Sequence, residues 1–142
     1  MNDKNKNIEA EDVIKRISDW KKRISDLYAT IDNWLINTEY NIKPGPKTIM
    51  YEELMSLYNL EATKLDTIDI LRGRIFVMSI KPKGLWIIGA NGRIDLLSLS
   101  NNVILVDIAK QFEQPQWKLY DNNKLKGVDF NSDIFLNLLS KS

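Results

Sequence analysis

The chain has 142 residues, 44% hydrophobic and 27% charged, which places it among single globular domains rather than disordered chains. Cysteine and histidine are both absent, so disulfides, thiolate metal sites, cysteine nucleophiles and an imidazole base are excluded. With 20 basic and 19 acidic residues the formal charge is +1, too balanced to steer a polyanion from a distance.

Residues 1–7, MNDKNKN, are polar and lack the apolar core of a leader, so a disordered end is expected there. No apolar run approaches the ~18 residues of a membrane span. No membrane partner is therefore expected, and the absence of cysteine suits a cytoplasmic setting. The abundance of Lys, Asn and Ile suggests a bacterial or viral source.

Residues 8–40 read as a helical arm. Apolar residues recur at spacings of three and four from Ala10 to Thr38, with Ile17, Trp20, Ile24, Leu27, Ile31 and Trp34 at its centre. This is the heptad pattern of an amphipathic helix or coiled coil. Glu11–Lys15, Asp12–Arg16 and Asp19–Arg23 add i,i+4 pairs, each worth ~0.2–0.5 kcal/mol. Two Trp at d positions, with Ile14, Tyr28 and Leu35 widening the stripe, fit a bundle or a sheet better than a narrow two-stranded seam. The stripe therefore docks either on its own domain or on another chain. The basic run Lys15, Arg16, Lys21, Lys22, Arg23 is balanced by acids on the other flank and reads as a solvated face. The helix should end near Tyr40, ahead of Pro44-Gly45-Pro46, and residues 41–47 should be a turn or linker.

Residues 48–142 read as an antiparallel β-meander with short helices before and after it. Thr48–Tyr58 suits a helix, although Thr-Ile-Met-Tyr also suits a strand. Expected strands are Leu65–Arg72, Arg74–Ile80, Gly84–Gly89, Arg93–Leu99, Val103–Ile108, Trp117–Asp121 and Lys124–Val128. Asn91-Gly92 reads as a two-residue type I′ hairpin turn. A last helix, Ser132–Leu139, is capped by Asn131 or Ser132. The fold class is α+β.

Chemistry-bearing residues are few. Asp95 shares a strand face with Leu97 and Leu99, where Arg93 is the natural partner; Asp69 should face water. Asp66, Asp107 and Asp129 also lie at or near strands, without a spacing that ties them together. Ile88-Gly89-Ala90-Asn91-Gly92-Arg93-Ile94 resembles the I-G-x-x-G loop of KH-type RNA-binding domains over seven residues. In that family helices flank the loop. Here Leu85-Trp86-Ile87-Ile88 reads as strand, and the hairpin is preferred.

The reading is a non-catalytic protein-interaction or regulatory module, with the six central stripe residues as its contact surface and a protein, or a second copy, as partner. One alternative is a nucleic-acid-binding module using the basic turns, Arg72, Arg74, Lys81, Lys83 and Arg93, gathered at one end of the sheet with Trp86 or Trp117. Another is a small anionic, nucleotide-like ligand held by Arg72, Arg74 and Arg93. No enzyme activity, metal or cofactor is expected.

Overall fold

A computed structural model of the chain describes residues 3–85, 90–121 and 127–142, with side chains from residue 9 onward. A 32-residue helix, α1 (Asp3–Trp34), opens it. The helix already runs through most of the segment expected to be disordered, since nothing from Asp3 to Trp34 breaks it. It also stops short of the expected Tyr40. Asn37 adopts a left-handed φ of 62°, and the Thr38 hydroxyl donates to the Leu35 carbonyl at 2.6 Å. Asn tolerates that geometry, and together they close the last turn before any proline is reached.

The freed residues become β1 (Tyr40–Pro44), an edge strand in place of the expected linker. Its exposed Lys43 and Pro44 suit an edge, because neither invites a further strand. Thr48–Met50 is strand β2 and only Glu53–Leu57 is helical, as α2. β2 pairs with β3 (Thr63–Leu65) as a separate two-stranded ribbon. The expected strand Leu65–Arg72 is thus broken at Asp66-Thr67, and its second half is β4 (Ile68–Arg72).

The main sheet adds β5 (Ile75–Gly84), β6 (Arg93–Ser98), β7 (Asn102–Asp107), β8 (Trp117–Asp121) and β9 (Val128–Asp129). Its order is β1-β4-β5-β6-β7-β8-β9, and all pairs are antiparallel. β5 runs straight through residues 81–83, the gap between the expected strands Arg74–Ile80 and Gly84–Gly89, with a register shift between Pro82 and Gly84. The expected strands Gly84–Gly89 and Lys124–Val128 lie largely outside the described residues. The closing helix, α3 (Ser132–Ser140), is capped as expected: Asn131 Oδ1 accepts from the Ile134 amide at 2.9 Å.

Period-two alternation sorts the sheet into two faces. Ile68, Ile80, Leu96 and Val103 line up across four strands, and Pro82, Ile94, Leu105 and Leu119 form the next row. These residues are buried, and they face the stripe of α1. The opposite face carries Leu71, Leu97, Ile104, Val106 and Tyr120 half-exposed among charged residues.

Candidate functional site

The stripe of α1 is consumed inside the molecule. Trp20 and Ile31 have no exposed surface, Ile24 and Leu27 are buried, and Ile17 and Trp34 are half-buried against the core. A free coiled-coil seam is therefore not available on this surface. The apolar face is wide because it covers a sheet, which removes more area from water than a two-helix seam would.

The helix is also pinned by charge. Arg23 donates to Asp107 Oδ2 at 2.5 Å, to Asp19 Oδ2 at 2.6 Å and to the Glu113 carbonyl. Asp107 is fully buried. Its Oδ1 accepts from the amides of Ala109 (3.0 Å) and Gln116 (2.9 Å). Burial works against the Arg23 charge. Hydrogen bonding to Asp19 and the field of Asp107 outweigh it, so the guanidinium pKa lies above its ordinary value. Asn91 belongs to the same knot. Its amide donates to the Asp107 carbonyl at 2.8 Å and its side chain donates to the Ala109 carbonyl. Asn91-Gly92 is therefore no two-residue hairpin turn: of the two only Gly92 has positive φ, at 132°. The loop from β5 to β6 is longer, and part of it lies outside the described residues. Ile88 and Gly89 of the KH-like heptapeptide fall there too.

Sequence reasoning left Arg23 on a solvated face and Asp107 unassigned. A signal was present. Asp107 continues the inward series Val103, Leu105, and Arg23 lies between Trp20 and Leu27 at helical spacing.

The basic set is split by the sheet. Arg72 and Arg74 sit at the β4–β5 hairpin. Lys81 lies six residues beyond Ile75 along β5, roughly 20 Å away. Lys83 and Arg93 are at that far end, where Arg93 pairs across from Gly84. Arg93 Nε meets Asp95 Oδ1 at 2.8 Å, the expected ion pair. Asp69, half-buried rather than facing water, accepts from the Ser79 hydroxyl at 2.6 Å. Lys81 lies opposite Asp95, and Lys118 pairs with Asp129. Both signs alternate over the open face, a poor template for a phosphate backbone.

A concave feature lies on the C-terminal half of α1. Leu27, Thr30 and Trp34 form one wall of a groove of about 230 Å³; Pro115, Trp117 and Phe130 form the other. Trp34 meets Phe130 edge-on with ring centroids 5.4 Å apart, and Phe135 backs both rings. Trp34, Trp117 and Phe130 all keep exposed surface. The adjoining depression carries Lys22, Asp26 and Glu113 beside Phe112, together with the Arg23–Asp19 ion pair. Phe112 is 55% exposed and has a φ of 64°. A bulky side chain in that region is strained by about 1–3 kcal/mol, and exposure recovers little of it.

On the opposite flank of α1, Tyr28 donates its hydroxyl to the Asp66 carbonyl at 2.7 Å. Burial, reinforced by the nearby Asp66 charge, pushes its pKa well above the ordinary phenol value. Among the described residues no helix is long and apolar enough to cross a membrane. No protein-family model, curated protein or solved structure matches this chain.

Proposed function

We propose that the protein is a non-catalytic interaction module that holds an extended peptide segment of a protein partner in the groove between α1 and β8. The observation that carries this reading is Phe112, kept exposed in a strained conformation in the depression that adjoins the groove of Trp34, Trp117 and Phe130. Strain at a position where it contributes no packing is a feature of binding surfaces. Partly exposed Trp and Phe in a concavity are the side chains that dominate interface energetics. With Asp19 paired to Arg23, Asp26 and Glu113 outnumber Lys22 at the rim and favour a basic residue next to the apolar or proline residue that fills the groove. The helical arm still contacts the partner in this reading, through Thr30 and Trp34 rather than through the whole stripe.

The test is selection of binding peptides from a random displayed library, followed by two variants. Phe112→Gly removes the ring and suits the positive φ, so its melting temperature should hold or rise. Thr30→Arg fills the groove from an exposed helix position. Each should weaken the selected peptides by roughly tenfold or more, a loss of about 1.4 kcal/mol. Peptides that bind wild type and both variants equally, or a selection that recovers none, would overturn the reading.

A further inference from the structure

A second concavity, independent of the peptide groove, lies across the helix. At about 100° per residue, Lys21, Ser25 and Tyr28 fall on one flank of α1, and Arg23, Asp26 and Thr30 on the other. The Lys21 flank forms one wall of a cleft of about 170 Å³. Lys47, from the segment between β1 and β2, and Lys64, from β3, close the other side. Three lysines from three separate stretches of chain thus line one space. A single lining carboxylate, Asp66, opposes them, and it is held by Lys47 at 3.2 Å. Among the described residues no carboxylate lies within 4.0 Å of the Lys21 or Lys64 ammonium.

The floor is different in kind. Ile24 and Leu65 are almost completely buried beneath the cleft, and the Tyr28 ring stands beside them with its hydroxyl turned to the backbone. Lys47 is balanced by Asp66, while the like charges of Lys21 and Lys64 repel one another unless an anion sits between them. The Ser25 hydroxyl adds a neutral donor on the same wall. The volume equals about five or six waters at ~30 Å³ each, enough for a phosphoryl group and two or three carbons.

We propose that this cleft binds a small phosphate-bearing anion. The phosphoryl oxygens lie between Lys21 and Lys64, Ser25 donates to one of them, and a short organic body rests on Ile24, Leu65 and the Tyr28 ring. The same tetrahedral chemistry is offered by free phosphate and by a phosphomonoester, and the floor discriminates between them. Asp66 opposes the ligand, so its removal has a sign opposite to that of removing a lysine.

The experiment is a titration of the full ¹⁵N-labelled chain with inorganic phosphate and with a three-carbon phosphomonoester, at ionic strength held constant with chloride. Saturable shifts should be confined to the amides of 21–28, 47 and 64–66. Lys21→Gln with Lys64→Gln should weaken binding roughly tenfold without lowering the melting temperature, because both side chains are exposed. Asp66→Asn should tighten it roughly threefold by removing the opposing charge. Tighter binding of the phosphomonoester than of phosphate identifies an organic ligand; equal binding identifies free phosphate, and either supports the site. Unsaturable shifts scattered over the lysines of the whole protein, or an Asp66→Asn variant that binds no better, overturn it. Neither result depends on Phe112 or the peptide groove.

Discussion

Gly92 shows how one residue answers to two constraints. Its φ of 132° is open only to glycine at low cost, and a Cβ at this position would overlap the six-membered ring of Trp20. Gly92→Ala should therefore cost about 2–4 kcal/mol, adding backbone strain to overpacking. Trp20→Phe shortens the ring, so the double variant should lose less than the sum of the two single changes in urea unfolding. Strict additivity would show that the two residues do not meet. Asn91→Gly, harmless in a type I′ turn, should here cost about 1–3 kcal/mol because it strands the buried Ala109 carbonyl. A neutral Asn91→Gly would restore the turn reading.

At the scale of an element, β6 is the clearest case. Ile94 and Leu96 are fully buried, while Arg93, Asp95 and Leu97 face the open side. Leu96→Ala should cost about 2–5 kcal/mol, the range for a buried leucine whose cavity relaxes only in part. Leu97→Ala, one residue away on a half-exposed face, should cost well under half of that. Equal losses in thermal melts would mean that the register of β6 is shifted by one residue, since a single step exchanges the faces. The alternation that sorts β6 is visible in the chain itself, as is the alternation of β7 and β8. The short elements are less legible. β2 and β3 are three residues each, too few for any period to stand out, and β1 becomes a strand only because β4 offers it an edge.

Across the whole molecule, α1 and the sheet are joined by an ion pair between residues 84 positions apart. The Arg23 and Asp107 side chains are 4% and 0% exposed; without Arg23 the buried Asp107 would lose its cation, whereas Arg23 without Asp107 would keep Asp19 and the Glu113 carbonyl. Arg23→Met alone should lose about 3–5 kcal/mol by orphaning the buried Asp107 carboxylate, and Asp107→Leu alone less, because Arg23 keeps Asp19. Adding Asp107→Leu should bring the loss clearly below that of Arg23→Met alone, because the buried carboxylate is gone and what remains are the amides of Ala109 and Gln116, the Glu113 carbonyl and the partly exposed Asp19. Additive losses in a denaturant double-mutant cycle would show that the pair is not coupled. The knot also ties the 110–116 segment to the helix, which is how strain at Phe112 is held in place.

Local periodicity and capping chemistry determined the long helix, the alternating strands, the cap at Asn131 and the α+β class, because each is decided by residues within a few positions of one another. The expected length of α1 was in error by one turn and a half, since Asn37 and Thr38 end it through a local geometry that apolar spacing does not encode. Only the tertiary structure decided that the stripe covers its own sheet, that Arg23 and Asp107 belong to the core, and that the basic turns lie at opposite ends. It also decided which aromatics stay open and which lysines converge. The physical reason is the same in every instance. An apolar face must be buried and a buried charge must be paired, but neither requirement names its partner, and the partner here is set by strand order and by contacts between distant residues.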